Sequence, residues 1–533
     1  MEVYSCQANA LDTTLISIES ELTRGFSGLQ LIGNVSEVCK NGIERAKTAL
    51  ENLELMLPQK RIVVSMAPAS LKKDGSQFDL ALAIALASLV KDSMPNIDLS
   101  KWMFISELSL TGELKPVKSI ISYTLAAVYH GFQGIVICHK NLSEVRSLTQ
   151  FKINGMEQFS IKSFNHLNEV LQWLYEQIDF PSISSEINAL ADKSTQLNTQ
   201  ILGKNFDDML LDQNLELAAK ITAVGMHSLF LTGTPGSGKS MFAERLPSIM
   251  PNMTESEHLE ALMISSSCHE KIPKALLAGR APFRAPHHNT TTAAILGTPK
   301  IPGELSMAHG GILFLDEFPE FRRDIIEALR EPLENGSVHV SRAKSKVSWN
   351  ARVCLVAAAN NCPCGWCGST VKKCHCPTNK ILSYRRKISG PIMERIDIHI
   401  HMKEPSTQNS DVFTNTKSLK KSITSFMADD VQNALEFSKR RNESLSIQFN
   451  RDLEAKHMIF ASGLNESEFV HLINHMIPKT LSRRSLIRCL RVARSLADLQ
   501  LKNKISEIDI STALSWQAEA AAKARGDFNS GIY

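Results

Sequence analysis

Residues 233–240 read Gly233-Thr234-Pro235-Gly236-Ser237-Gly238-Lys239-Ser240, a complete Gly-x-x-x-x-Gly-Lys-Ser phosphate loop. The apolar run Leu229-Phe230-Leu231 precedes it as a buried strand, and a helix is expected to follow. The glycines let backbone N–H groups close around phosphate oxygens, Lys239 neutralises the β/γ charge, and the Ser240 hydroxyl ligates Mg²⁺ at the start of the helix. ATP and Mg²⁺ are therefore the expected ligands, and an α/β fold with a parallel sheet the expected frame.

Hydrolysis needs groups that hold the metal and activate water, and the downstream sequence supplies them. Ile312-Leu-Phe-Leu-Asp-Glu is a four-residue apolar strand whose end presents Asp316 to Mg²⁺ and Glu317 to the attacking water. Another apolar strand, Val353 to Ala359, ends in Asn360-Asn361, where an amide can position that water. A plain asparagine turn is the competing reading. Arg395, just before an alternating strand, suits action in trans on a neighbour's γ-phosphate. In the helix opened by Leu481-Ser482-Arg483-Arg484, residues Arg484, Arg488 and Arg491 share one face while Leu486, Leu490 and Ala493 line another. A solvated face is the alternative for this stripe. The order of loop, acidic pair, amide and two arginines describes an AAA+ ATPase with a helical lid.

The chain of 533 residues is too long for one core. Its 59 Lys and Arg nearly balance 55 Asp and Glu, so nucleic-acid binding has to come from local clusters. The N-terminus lacks a signal-like segment, and the longest apolar run, Leu80 to Val90, is too short to span a bilayer. A cytoplasmic protein with no membrane partner is the expectation.

Up to about residue 175 strand-like and helix-like pieces alternate: Leu15 to Glu19, a helix near Glu37 to Leu53, Arg61 to Ser65, a helix from Asp79, Phe104 to Leu108, a helix near Ile120 to His130, and Gly134 to Cys138. The chain thus divides into an α/β domain over 1–175, a polar linker over 176–200, the ATPase core over 201–402, a second linker over 403–418 and an all-helical part over 419–533.

Five of the eleven cysteines fall within residues 362–376. In a reducing compartment, Cys362, Cys364, Cys374 and Cys376 suit a closed tetrahedral structural Zn²⁺ site, with Cys367 and His375 as substitutes. Free thiols on a loop are the alternative. Val338 to Trp349 alternates on both sides of a basic tip and reads as a β-hairpin carrying Arg342, Lys344 and Lys346, able to track phosphates without reading sequence. A solvated surface hairpin competes with that view. Tyr384-Arg385-Arg386-Lys387 is a second basic patch, read equally as a DNA contact or as packing against an adjacent subunit. His287 and His288, on an expected extended segment, should point to opposite faces and not share an ion.

Ala281-Pro-Phe-Arg-Ala-Pro-His-His-Asn, the run from Pro302 through Asp316 and Glu317 to Phe321, and Asn361-Cys-Pro-Cys-Gly together resemble the ComM/YifB family of magnesium-chelatase-like AAA+ proteins. The resemblance covers essentially the whole chain. It implies a Lon-protease-like N-terminal domain and a chelatase-like C-terminal lid. It also implies a homo-hexameric DNA motor, a helicase that drives branch migration on single-stranded and branched DNA without sequence preference during integration of transforming DNA, with recombination proteins as partners. By matching motif, Lys239, Asp316, Glu317, Asn360, Arg395 and Arg484 are the ATPase residues. The family has Asn-Pro before Cys-Pro-Cys-Gly where this chain has Asn360-Asn361, and position favours Asn360 as the sensor. Aligned on the Lon landmarks, Gln77 takes the serine position and Ile121 the lysine position, so a Ser-Lys dyad is not expected. Two other functions fit the shared core, a magnesium-chelatase-like remodelling subunit and an ATP-dependent adaptor or scaffold.

Overall fold

A computed structural model describes residues 2–91, 94–176, 178, 203–268, 271–342, 345–404, 422–479 and 481–525. Nearly all of both expected linkers lies outside these residues, as does Lys344 of the basic hairpin.

The N-terminal domain is built on a seven-stranded sheet. Its order is Gly28–Ile32, Arg61–Ala67, Asp12–Thr23, Glu2–Asn9, Trp102–Ile105, Gly134–Cys138 and Ser160–Phe164. Three neighbours, Arg61–Ala67, Asp12–Thr23 and Glu2–Asn9, run antiparallel, and the remaining pairings are parallel. The expected strands and helices of this domain are present, except that the strand expected over Phe104 to Leu108 is divided into Trp102–Ile105, in the large sheet, and Glu107–Leu108, which pairs with Leu114–Lys115 in a separate two-stranded sheet. The strands Glu2–Asn9, Gly28–Ile32 and Ser160–Phe164 are additional, because each interleaves polar with apolar residues and carries no continuous apolar run. Every residue of the helix Asp79–Ala87 is buried, which places the apolar run from Leu80 inside the domain. Its Asp79 carboxylate meets Arg45 at 2.8 Å, yet burial lifts its pKa to about 7. At the Lon landmarks, the buried Gln77 donates from Nε2 to Asp74 O, Ser76 Oγ is bound to Glu107 Oε2, and Ile121 is fully buried among apolar side chains.

The second sheet is all parallel, in the order Phe283–Arg284, Ile312–Leu315, Cys354–Asn360, Leu229–Gly233, Ile398–Met402. Leu229 pairs with Val356 and Ile398 at one end, and Gly233 with Asn360 and Met402 at the other. All five residues of Leu229–Gly233 are buried, as expected of a parallel strand covered on both faces. Because the strand order reverses around Leu229–Gly233, its carboxyl end opens a crevice, the place where such sheets bind ligands.

The C-terminal part is helical in its described residues, with long helices at Ile423–Asn442, Arg483–Leu499 and Glu507–Arg525. It closes on the helix Gln213–Gly225 through one continuous apolar cluster that includes Leu215, Ile221, Val431, Leu435, Leu490 and Trp516. Arg494 is fully buried there and donates to the carbonyls of Ala461, Lys502 and Asn503 and to Asp498, which compensates a charge that would otherwise be costly to bury. Among the described residues the N-terminal domain rests on the core through apolar contacts and through an ion pair between Asp74 and Lys300. The helix Ile120–Tyr129 shares an apolar cluster with Ala261 and Leu262, and Ala10 packs with Ile264, Val347 and Trp349.

Candidate nucleotide site and its surroundings

Gly236 and Gly238 take φ of +79° and +89°, left-handed values that only glycine adopts at no steric cost. They turn the loop so that the helix Lys239–Arg245 begins directly after it. Lys239 Nζ is folded back and donates to Gly233 O at 3.0 Å and Thr234 O at 2.8 Å. Burial lowers the pKa of this ammonium, and Asp316 opposes the shift. Ser240 Oγ donates to Asp316 Oδ2 at 2.6 Å, so the two residues expected to hold Mg²⁺ already meet. A hydroxyl and a carboxylate oxygen at the foot of the loop are the hard donors that Mg²⁺ takes together with nucleotide phosphates.

Glu317 follows Asp316 at the tip of the strand Ile312–Leu315, with a left-handed backbone at φ +50° and ψ +43°. A non-glycine residue in that region costs of order 1–3 kcal/mol and persists only where its surroundings hold it. Two features do so: its N–H donates to Asp316 Oδ1 at 2.8 Å, and its Oε2 lies 3.1 Å from His288 Nδ1. The latter contact corrects the reading of the histidine pair. The His287 and His288 rings lie side by side, with centroids 4.1 Å apart and planes at 33°, instead of on opposite faces. The segment turns there, with Thr290 N–H donating to His287 O, so the alternation of an extended strand does not apply.

Asn360 ends its strand beside Gly233. Asn361 donates its side-chain amide to Cys367 O at 2.9 Å and is committed to the cysteine loop, while Asn360 stands at the sheet edge next to the phosphate loop. The Sγ atoms of Cys362, Cys364, Cys374 and Cys376 all lie within 4.8 Å of one another, three of the pairs at 3.4 to 3.7 Å. Tetrahedral Zn²⁺ with sulfur ligands at about 2.3 Å needs sulfurs roughly 3.8 Å apart, so this donor set fits zinc. Backbone N–H groups of Cys367 and Cys376 point at Cys362 Sγ and Cys374 Sγ, as expected around thiolates. Cys367 and His375 are not part of the group. The loop also touches the phosphate loop itself, for a Cβ at Gly365 would fall 2.4 Å from Pro235 Cγ.

Arg395 and Arg484 are together, but not at the phosphate loop. Arg395 precedes the strand Ile398–Met402, whose first residue pairs with Leu229 and whose last pairs with Gly233. A five-residue strand spans about 16 Å, so Arg395 lies at the opposite edge of the sheet from its own loop. There Arg395 Nη2 and Arg484 Nη1 approach the same oxygen, Glu334 Oε1, at 2.8 and 3.2 Å. The cleft around them, about 400 Å³ between core and lid, also presents Arg352, Arg451, Arg488 and Arg491. The stripe on the lid helix is therefore not a solvated face. Only Arg484 is well exposed; Arg491 Nε donates to Leu453 O at 2.7 Å, and Arg488 Nε lies 3.7 Å from buried Asp397. Burial would raise the Asp397 pKa, but His227, Arg488 and the Ser228 N–H hold it well below the usual carboxylate range.

The basic hairpin forms as expected from Ser337–Arg342 and Ser345–Asn350, paired antiparallel. Lys346 is exposed, whereas Val347 and Trp349 are buried at its base and Trp349 Nε1 donates to Thr298 O at 3.0 Å. The patch Tyr384 to Lys387 is mixed: Tyr384 is buried, Lys387 pairs with Glu320 at 2.9 Å, and Arg385 reaches Asn361 O. Glu334, Asp397 and His288 were not readable as site residues from sequence, since their partners lie far away along the chain.

Sequence profiles for magnesium chelatase subunit ChlI match residues 205–410 and 18–141, and the profile for the C-terminal part of that subunit matches residues 422–517. The chain is 32% identical over 521 residues to competence protein ComM of Haemophilus influenzae, which covers 97% of each protein. It is 31% identical over 522 residues to YifB of Escherichia coli, covering 97% of this chain and 96% of that one. A stretch of 163 residues, 29% of the chain, is 27% identical to Lon protease of Flavobacterium johnsoniae and spans 19% of that protein. Among the described residues no helix is long and apolar enough to cross a membrane.

Proposed function

The chain belongs to the ComM/YifB family of magnesium-chelatase-like AAA+ proteins, and from that membership we propose that it is a ring-forming, ATP-driven DNA motor that promotes branch migration when transforming DNA is integrated. The observation that carries the proposal is the separation of Arg395 from its own phosphate loop across the length of the sheet. An arginine at that edge serves a nucleotide only if the next subunit brings its loop there, and a closed ring, here a hexamer, gives every subunit such a neighbour. In each site the loop amides and Lys239 hold the phosphates, Ser240 and Asp316 hold Mg²⁺, and Asn360 orients water. Glu317 accepts the proton of the attacking water, while the neighbour's Arg395, with Arg484 beside it, offsets the charge developing on the phosphoryl group. Opening of the cleft frees both arginines from Glu334.

The hairpin gives the cycle its output. Arg342, Lys344 and Lys346 neutralise backbone phosphates of single-stranded or branched DNA, which makes movement independent of sequence and sensitive to salt. The name of the Haemophilus relative supports a role in competence. Recombination proteins are the partners we propose for that role. The matches to a chelatase subunit favour a second reading, an ATPase that remodels a partner enzyme. The two separate in one comparison: a DNA motor moves a labelled junction with ATP, and a remodelling subunit leaves it intact.

The cysteine group belongs to this account as a structural Zn²⁺ site bracing Pro235 of the loop through Gly365. Metal analysis is expected to find one zinc per chain. Cys364→Ser is expected to release it and to weaken ATP binding severalfold. A zinc-free protein that binds ATP with wild-type affinity would contradict the assignment.

A further inference from the structure

We infer that an exposed basic face carried by the cysteine loop and the helix Thr378–Arg386 is a second contact for the phosphate backbone of nucleic acid, separate from the hairpin. The inference rests on the motor reading and names a further part of its DNA-binding surface. Between Asn335 and Met393 the chain has ten Lys and Arg and no Asp or Glu, while the other 474 residues hold all 55 acids. The hairpin accounts for three of the ten, and six fall between Lys372 and Lys387. A nearly balanced overall charge therefore conceals one stretch that has no carboxylate of its own to neutralise it.

The fold puts most of these six cations on one side. In the helix Thr378–Arg386 the residues Ile381 and Tyr384 are buried, and Ile388 continues their face. Lys380, Ser383 and Lys387 recur at i, i+3 and i+7 on the exposed side, with Arg386 also exposed beside them. The helix begins two residues after Cys376, so the four-cysteine group lies between it and the exposed Lys372 and Lys373. The Lys372 ammonium sits 5.2 Å from the centroid of the Trp366 ring, a contact that orients the charge without neutralising it. Ser383, Arg386 and Lys387 line a groove of about 360 Å³ that also presents Arg323. The acids on the neighbouring segment are already engaged, Glu320 with Lys387 at 2.9 Å and Asp324 with Arg322 and Thr292. Among the described residues Arg323, Lys373, Lys380 and Arg386 are in no ion pair. Like charges gathered in this way fit a polyanion. Protein–nucleic acid interfaces are strongly positive, whereas lysine is depleted from the interfaces between protein subunits. A phosphate in the groove accepts from the Arg323 and Arg386 guanidiniums and the Ser383 hydroxyl, and such a contact carries no base information.

The test titrates the full chain, with Mg²⁺ and a non-hydrolysable ATP analogue, against a fluorescent single-stranded DNA at a series of salt concentrations. It compares the wild type with the double variant Lys380→Gln, Arg386→Gln, which keeps much of each stem and removes both charges. Thermal unfolding establishes that the variant is folded. Loss of two phosphate contacts is expected to weaken binding severalfold at low salt. It is also expected to make the fall of log affinity with log salt less steep by about 1.4, because each contact to a single strand contributes about 0.7. Lys346→Gln on the hairpin is expected to reduce the steepness by about 0.7, and the triple variant by the sum of the two effects, as separate contacts add. An affinity and a salt dependence equal to the wild type's overturn the second contact while the motor reading stands. Sedimentation under the same conditions follows ring assembly, and a double variant that no longer assembles assigns the face to a neighbouring subunit and overturns the inference. A wild type that binds no DNA at the lowest salt refutes the motor reading, and the second contact falls with it.

Discussion

Replacing Glu317 by Gln is expected to slow ATP turnover by about 10²–10⁴-fold, the usual contribution of a general base, while ATP binding and ATP-dependent assembly persist. The substitution removes the proton acceptor and leaves Lys239, Ser240 and Asp316 where they are, so their bonds around the loop are unchanged. Glutamine can still accept a hydrogen bond from His288 through its carbonyl oxygen. The left-handed backbone at this position is no obstacle either, because Glu and Gln have the same constraint at Cβ. Turnover near the parent rate, measured by phosphate release, would remove Glu317 from its role.

Arg395→Ala is expected to cost roughly 10³–10⁵ in turnover, the range for an arginine acting on a developing phosphoryl charge. Its origin in trans gives a sharper result than the loss itself. Arg395→Ala subunits have an intact phosphate loop, and Lys239→Ala subunits have an intact arginine. Each preparation alone is expected to be inactive. Mixed rings recover hydrolysis wherever a Lys239→Ala subunit offers Arg395 to the loop of an Arg395→Ala neighbour. No recovery on mixing, with assembly of mixed rings demonstrated, would place the arginine in its own subunit's site despite its position at the far edge of the sheet. Glu334 remains paired with Arg484 in the variant, so the cleft keeps a counter-charge and gross unfolding is not expected.

The parts of the molecule governed by local chemistry were legible in the sequence. The phosphate loop needs two glycines at left-handed positions, a lysine and a hydroxyl at fixed spacing, and all of these declare themselves within eight residues. The strand Ile312–Leu315 was equally plain, since a strand covered on both faces is apolar throughout. The half-polar strands Glu2–Asn9 and Gly28–Ile32 were not, because what makes them strands is their partners Asp12–Thr23 and Arg61–Ala67. The four cysteines could be paired by spacing, but the seat of Gly365 on Pro235 could not, for it depends on how the sensor strand lies beside the phosphate-loop strand.

Charge partners were the least readable. Arg395 and Arg484 each stood out, yet nothing in sequence joins them, and the carboxylate that does, Glu334, sits in a short helix with no motif of its own. The His287-His288 pair misled for a local reason: the alternation rule applies to extended backbone, and a turn at Thr290 replaces it. The contact between His288 and Glu317 is tertiary and depends on the turn at His287–Thr290 lying against the end of the acidic strand.

The central claim is that ATP hydrolysed at this loop moves DNA. The most direct measurement follows a labelled four-strand junction of unrelated sequences with ATP and Mg²⁺, using the wild type beside Lys239→Ala. The wild type is expected to convert the junction into migrated products at every sequence tested, and Lys239→Ala to bind the junction and leave it intact. A wild type that hydrolyses ATP at the same rate with and without DNA and leaves every junction unchanged would contradict the account.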